Sequence, residues 1–158
     1  MPLWLADTVA KLMQRLPNNM PARADLSFAE IPVALRDATI PTRHGAVDAQ
    51  VYVPSGGSSD KGVYVNFHGG GFVMRHPEQD DALCRYIAAN AGVTVVNVDY
   101  IPAPQSRFPG PVEQAYDVAV WATSMERPWL GDKLVLGGQS AGGALAAGAA
   151  RLALERGT

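Results

Sequence analysis

The feature that most constrains the fold is a regular alternation of β-rich and helical segments from residue 62 onward. Residues 93–99 are nearly all β-branched and apolar, which is typical of a strand buried on both faces of a parallel sheet. The predicted strands lie at 62–68, 93–99 and 133–137, and the predicted helices lie at 78–91, 112–125 and 140–155. This order predicts an α/β fold, a three-layer sandwich in which helices cover both faces of a mostly parallel sheet.

The N-terminal part of the chain contains one predicted helix and two predicted strands. Apolar and polar residues alternate at 46–54, which indicates a half-buried strand, and an earlier strand is predicted at 35–40. We expect these strands to add antiparallel at one edge of the sheet. The apolar face of the helix predicted at 1–16 carries Leu5, Val9, Leu12, Met13 and Leu16, and we expect it to pack on a core. We therefore divide the chain into a helical segment at 1–34 and one domain at 35–158.

Composition excludes several classes of function. A net charge of −2 gives no sign of a surface for nucleic acid, and no run of 18 apolar residues is present to span a membrane. We expect a cytoplasmic protein. The single cysteine, Cys84, excludes an internal disulfide and a multi-cysteine metal site, and is predicted to be a small buried hydrophobe. Asp80 and Asp81 are predicted to form a solvated helix face, Asp99 to accept hydrogen bonds from a loop, and the three tryptophans, Trp4, Trp121 and Trp129, to be packing residues.

A glycine-flanked serine stands between the last predicted strand and the last predicted helix. The sequence GQSAGG at 138–143 fits the G-x-S-x-G nucleophile elbow, in which the serine occupies a tight strand-to-helix turn. Gly138 and Gly142 remove side chains that would collide across that turn. The hydroxyl of Ser140 would project above the sheet as a nucleophile, and the N–H of Ala141 would donate to a developing oxyanion.

A second glycine-rich turn follows the strand predicted at 62–68. His68 is followed by Gly69, Gly70 and Gly71, and three glycines let a backbone approach a ligand and turn its N–H groups inward. An acyl-transfer site needs such donors about 3 Å from the carbonyl oxygen. No Lys-Ser/Thr pair follows, which argues against a phosphate-binding loop. We interpret His68 as a buried histidine that hydrogen-bonds and shapes this loop.

Three motifs together resemble the hormone-sensitive-lipase-like family of carboxylesterases. They are HGGGF at 68–72, DYIPAPQSRFP at 99–109 and GQSAGG at 138–143, and they occur in the family's order and at about its spacing. The resemblance covers residues 31–156. It implies an α/β-hydrolase fold that acts on carboxylic esters of short to medium acyl groups and needs no metal and no organic cofactor.

The resemblance also assigns roles to individual residues. It implies that Ser140 is the nucleophile and that Gly70, Gly71 and Ala141 provide the oxyanion-hole amides. The helical segment at 1–34 would contribute to a cap over the acyl pocket. The family's usual residue before the nucleophile is Asp, where this chain has Gln139.

The middle motif departs from the family pattern in a further way. The family usually has Asp-Tyr-Arg-Leu-Ala-Pro-Glu, and Ile101 and Gln105 stand where its Arg and Glu would be. Neither residue can form the family's charged contacts, so we expect different packing in this loop.

A general base for Ser140 is not apparent in the sequence. The family order is Ser, then Asp or Glu, then His, and the residues after Ser140 contain one acid, Glu155, and no histidine. Glu155 would lie roughly 22 Å along the helix from Ser140. His44 and His76 precede the nucleophile, so either would require a rearranged site, and His76 could lie near the pocket mouth.

We therefore predict a serine carboxylic ester hydrolase whose triad acid and histidine are absent from this chain. The fold would be truncated after the nucleophile helix, and the strand at 133–137 would be an open edge through which the chain could associate. A catalytically inactive fragment or binding module that pairs with a complementary chain is the alternative. A serine acyltransferase or amidase on the same fold also stays open.

Overall fold

The computed structural model describes residues 2–15, 27–56, 61–124, 129 and 132–158. Its helices are α1 (Leu3–Met13), α2 (Asp81–Ala91), α3 (Gly110–Thr123) and α4 (Ala141–Arg156). Its strands are β1 (Val33–Ile40), β2 (Val47–Pro54), β3 (Val63–Phe67), β4 (Thr94–Asp99) and β5 (Leu134–Gly138), and a 3₁₀ helix at Pro77–Asp80 precedes α2.

The five described strands form one sheet in the order β1-β2-β4-β3-β5. β3 pairs in parallel with both β4 and β5, so that Val65 lies beside Val96 and Leu136. β1 pairs antiparallel with β2, and β2 pairs antiparallel with β4. The α/β prediction and the antiparallel edge are confirmed. The described sheet is mixed, because parallel pairing is confined to β4, β3 and β5.

Helices cover both faces of the sheet, as the burial of the β4 side chains on both faces shows. Successive side chains of a strand point to opposite faces, and Val95 and Val96 are both fully buried. Val95 packs with Cys84 and Ala88 of α2, whereas Val96 packs on the face covered by α3 and α4. The predictions of a doubly buried strand and of a buried Cys84 are confirmed.

The N-terminal helix contradicts the expectation of a helix packed on a core. None of the residues of α1 is buried, and Trp4 is 69% exposed, so the prediction that Trp4 is a packing residue is wrong. Polar side chains attach α1 instead, because Arg107 Nη2 lies 2.5 Å from Asp7 Oδ1 and Gln14 hydrogen-bonds two backbone carbonyls. α1 ends at Met13, before the predicted end of the helix at residue 16. Residue 16 itself lies outside the described residues.

The turn before α2 corrects the prediction for Asp80. The carboxyl is 1% exposed, because the 3₁₀ helix turns it inward, where Asn66 Nδ2 donates to its Oδ2 at 2.8 Å. The same Nδ2 donates to Asn97 Oδ1 at 2.9 Å, and Asn97 Nδ2 donates to the carbonyl of Pro77 at 2.7 Å. β3 and β4 therefore hold the 3₁₀ helix through a buried polar network.

The elements differ from their predicted bounds by a few residues at their ends. β1 begins at Val33 rather than at residue 35, and α2 begins at Asp81 after the 3₁₀ turn rather than at residue 78. The left-handed conformation of Gly92, at φ 66°, ends α2 as predicted. No helix within the described ranges is long and apolar enough to cross a membrane.

Candidate active site

Ser140 lies in a tight turn between β5 and α4. Its backbone adopts φ 52° and ψ −114°, a conformation that L-residues seldom occupy. The turn is closed by hydrogen bonds from Gly142 N–H to the Gln139 carbonyl at 2.8 Å and from Ala144 N–H to the Ser140 carbonyl at 3.2 Å. The side chain of Ser140 is exposed and does not cap α4. The local geometry is that of a strand–turn–helix with the serine hydroxyl at its apex.

The two glycines that flank Ser140 are required by close approach of β3. A Cβ on Gly142 would lie 2.5 Å from the carbonyl carbon of Phe67 and 2.8 Å from the carbonyl oxygen of His68. A Cβ on Gly138 would lie 2.6 Å from the carbonyl carbon of Gly142. Any side chain at either position would force the turn away from the end of β3.

Ala141 is the first residue of α4, and it is buried. The N–H groups of a helix's first turn have no acceptor within the helix, so they are available to a ligand. The positive end of the helix dipole lies at the same place, which favours negative charge beside Ser140.

The glycine loop begins where β3 ends. Gly70 and Gly71 have φ values of 133° and 61°, and Phe72 follows at 61°. A Cβ on Gly70 would lie 2.8 Å from Cβ of Met74, whereas the space around a Cβ on Gly71 is open. The N–H groups of Val73 and Met74 donate to the carbonyl of Gly70 at 3.0 and 2.9 Å, which closes the turn.

The glycine loop and the serine turn lie side by side. Because β3 and β5 are parallel neighbours, with Phe67 beside Gly138, their carboxyl ends meet at one edge of the sheet. A Cβ built on Gly69 would lie 3.3 Å from the Gln139 carbonyl oxygen and 3.8 Å from Ser140 Cβ. The two predicted parts of the site are therefore brought together.

His68 is fully buried beneath the loop. Its ring stacks on Tyr100 with centroids 4.4 Å apart, and the Tyr100 hydroxyl donates to the His68 carbonyl at 3.2 Å. Nδ1 lies 2.7 Å from the carbonyl oxygen of Gly69, and Nε2 has no partner among the described residues. Burial lowers the pKa of His68, so the neutral ring donates through Nδ1–H to Gly69.

The remaining predicted candidates lie elsewhere. His44 Nε2 is 2.5 Å from Glu113 Oε2, and His76 Nδ1 is 3.3 Å from Glu78 Oε1. Glu155 pairs with Arg151 one turn back on α4. Among the described residues, no histidine ring hydrogen-bonds to Ser140.

The loop after β4 is held differently from the family pattern, as expected. Gln105 Nε2 donates at 2.8 Å to Oε1 of Gln14, the residue that follows α1, so an uncharged amide pair holds this loop. The N–H of Ile101 donates to Gln114 Oε1 at 3.0 Å. Asp99 accepts two bonds of 2.8 Å from Arg75 Nε, which fits the prediction that it binds a loop.

Gln79 was missed by sequence reasoning. Its Nε2 donates to the Gly69 carbonyl at 3.0 Å from the 3₁₀ helix at Pro77–Asp80. The only sequence signal was its position after the glycine loop, which does not distinguish it from other polar residues there.

An apolar groove of about 760 Å³ adjoins the site between the N-terminal end of α3 and α4. Phe72, directly after the glycines, and Ala144, one turn into α4, both line it. Its other walls are mostly apolar, with Phe108, Val112 and Leu152 among them. The charged residues Arg107, Glu113, Arg151 and Glu155 line it as well.

Comparisons with known proteins agree with this architecture. A family model described as the alpha/beta hydrolase fold matches residues 64–158. The carboxylic ester hydrolase LipN of Mycobacterium tuberculosis is 38% identical over 130 residues, which cover 80% of this chain and 34% of LipN. An acetyl esterase of Salmonella schwarzengrund is 31% identical over 113 residues, covering 70% of this chain and 34% of the esterase.

Solved structures give the same result. The esterase of Pyrobaculum calidifontis superposes with a TM-score of 0.76 at 34% identity, covering 99% of this chain and 49% of the esterase. The chain thus spans about a third of the length of these curated relatives and about half of that solved structure. The match of the family model over residues 64–158, more than half of the chain, shows that the chain belongs to the alpha/beta hydrolase fold family.

Proposed function

We propose that this chain carries the nucleophile and the oxyanion-binding half of a serine carboxylic ester hydrolase. The observation that carries the proposal is the positive φ of Ser140, 52°, at a strand-to-helix turn packed against a glycine loop. Strained backbone at an exposed serine costs stability, and its persistence is typical of functional sites.

The proposed reaction is acyl transfer in two steps. Ser140 Oγ attacks the ester carbonyl, its proton passes to a base, and the carbonyl oxygen becomes an oxyanion. The N–H groups of Gly70, Gly71 and Ala141 donate to that oxyanion. The base then returns its proton to the alcohol oxygen, and the alcohol leaves as the acyl-serine forms. Water then attacks the acyl-serine and releases the acid. Gly138 and Gly142 keep the turn tight enough for this attack, and His68 and Gly69 support the loop.

The substrate proposed is an ester with a small or medium acyl group. The relatives include an acetyl esterase, and the apolar groove beside Phe72 and Ala144 is of a size to accept the acyl or alcohol group of such an ester. Ala144, which lines the groove, follows the proposed nucleophile by one turn of α4.

A binding module without turnover, which pairs with a complementary chain, is the second candidate. Two observations favour it: no histidine hydrogen-bonds Ser140 among the described residues, and β5 pairs with β3 alone among the described strands. A serine without a base is a poor nucleophile at neutral pH. The two candidates differ in whether a supplied base produces turnover.

A boronic acid tests the proposed site on the chain itself. The boron of butylboronic acid accepts a lone pair from Ser140 Oγ, the hydroxyl proton goes to solvent, and the tetrahedral anion resembles the intermediate of ester hydrolysis. In a titration of the ¹⁵N-labelled chain, we expect saturable downfield shifts of the Gly70, Gly71 and Ala141 amide protons.

The variant Ser140→Ala is the control, because it keeps the backbone and removes the attacking oxygen. The chemical shifts of its Gly70, Gly71 and Ala141 amide protons should not change during the titration. A wild-type titration without shifts at these amides, or equal shifts in Ser140→Ala, would contradict the proposed function.

A further inference from the structure

One polar side chain near the glycine loop is not explained by the proposed reaction. Gln79 Nε2 donates to the carbonyl of Gly69 at 3.0 Å, and the ring of His68 donates to the same oxygen at 2.7 Å. Two donors on one carbonyl use both of its lone pairs and fix its direction.

The direction of this carbonyl determines the direction of a proposed oxyanion donor. The peptide that joins Gly69 to Gly70 is planar and trans, so its C=O and N–H point in opposite directions. When the Gly69 oxygen is held toward Gln79 and His68, the N–H of Gly70 must point the other way. Gly70 has φ 133°, where glycine has many conformations available, so the loop itself does not fix this direction.

Gln79 is in turn supported by the sheet. It lies on the 3₁₀ helix at Pro77–Asp80, whose Asp80 carboxyl is bound by Asn66 of β3 at 2.8 Å. Asn97 of β4 binds the Pro77 carbonyl of the same helix at 2.7 Å. The buried network thus connects two central strands to the Gln79 amide through one short helix.

We propose that Gln79 is a positioning residue that orients the Gly70 N–H toward the oxyanion, and that the buried Asn66–Asp80–Asn97 network exists to present it. Gln79 does not touch the reacting atoms, and it acts through the Gly69–Gly70 peptide. This inference rests on the proposed function.

The test repeats the butylboronic acid titration with two variants of the full chain. Gln79→Met is close in size and has no donor, and Gln79→Glu puts an anionic acceptor beside the Gly69 carbonyl. We expect Gln79→Met to weaken boronate binding about tenfold, less than the complete loss of an oxyanion donor, and Gln79→Glu to weaken it further. The downfield shift of the Gly70 amide proton should shrink, while those of Gly71 and Ala141 persist.

Gln50→Met is the matched control. Gln50 also donates its amide to a backbone carbonyl, that of Arg36 at 2.9 Å, but on the outer strands β1 and β2. It should leave the affinity and all three amide shifts unchanged. Urea unfolding of each variant shows whether the substitution lowers the stability of the fold. Loss of positioning changes the Gly70 amide shift alone, whereas loss of the fold changes all three amide shifts.

The outcomes separate this inference from the function on which it rests. If wild type forms the adduct and Gln79→Met keeps both the affinity and the Gly70 shift, the positioning role is wrong and the proposed function stands. Equal loss at all three amides would also overturn it, because that result indicates a general structural role. If the wild-type chain forms no adduct, the proposed function and this inference both fail.

Discussion

At the scale of single residues, the serine turn depends on two glycines that leave no space for a methyl group. Gly142→Ala would place a Cβ 2.5 Å from the Phe67 carbonyl carbon. We expect it to lower the free energy of unfolding by about 3 kcal/mol, at the upper end of the cost of overpacking, because the contact is with backbone. Urea denaturation followed by circular dichroism measures this loss.

Gly143→Ala is the control for that prediction. It makes the same change at the next residue of α4, where the Cβ would lie 3.2 Å from the Gly138 carbonyl oxygen. Its effect should stay within about 1 kcal/mol, because the gain in helix propensity offsets the close contact. Equal stability of the two variants would contradict the packing described for the turn.

The buried carboxyl of Asp80 gives a pH-dependent prediction. Burial raises the pKa of Asp80, although the hydrogen bond from Asn66 and the nearby His68 lower it. Above the ordinary carboxyl pKa, the folded chain therefore holds this proton while the unfolded chain has lost it. The stability of wild type relative to Asp80→Asn should fall as pH rises from that value through the raised pKa.

Unfolding free energies of both chains from pH 3.5 to 7 measure this difference. Asp37→Asn, which removes an exposed carboxylate from β1, is the matched control. A difference between wild type and Asp80→Asn that does not change with pH would show that Asp80 is not held protonated in the fold.

Some residues of the candidate site could be predicted from sequence, and others could not. The serine turn depends on residues 138–142, so its geometry is encoded locally and the motif identifies it. Gln79 acts on a carbonyl 10 residues away, and Gln14 acts on carbonyls 59 and 89 residues away. Such contacts depend on how distant loops pack in the tertiary structure, so no local sequence pattern predicts them.

At the scale of elements, the strands and helices of the sheet were predictable, and the environment of α1 was not. β4 is buried on both faces, and the apolar residues that such burial favours, Val95, Val96 and Val98, are visible in sequence. The apolar spacing of α1 predicts a helical face, but it does not say what covers that face. Among the described residues, polar contacts attach α1.

The attachment of α1 yields a prediction for Gln14. Its Nε2 donates to the Val73 carbonyl at 2.7 Å and the Ala103 carbonyl at 2.9 Å, and none of the residues of α1 is buried. We expect Gln14→Ala to increase hydrogen exchange of the α1 amides about thirtyfold, since the two lost hydrogen bonds contribute about 1 kcal/mol each. The exchange of β3 and β4 should not change.

Lys11→Ala is a control on the exposed side of the same helix. It should leave the exchange of α1 unchanged. Equal protection of α1 in Gln14→Ala and wild type would mean that other contacts hold the helix.

At the scale of the whole molecule, the proposed nucleophile and oxyanion donors lie on a chain that spans about half the length of the matched esterase structure. A serine hydroxyl with no base beside it is a poor nucleophile at neutral pH. We therefore expect no measurable turnover of an ester by the 158-residue chain alone. Among the described residues, no histidine ring hydrogen-bonds to Ser140, so a base has to be supplied.

Free imidazole, supplied as that base, tests whether Ser140 is the nucleophile. The measurement is the release of p-nitrophenolate from p-nitrophenyl acetate by the chain, by Ser140→Ala and by buffer, with and without imidazole. We predict no release above buffer without imidazole, and in its presence a saturable excess that Ser140→Ala abolishes. Equal hydrolysis by wild type and Ser140→Ala in imidazole would contradict Ser140 as the nucleophile. Ser140-dependent turnover without imidazole would show that the chain already holds a base.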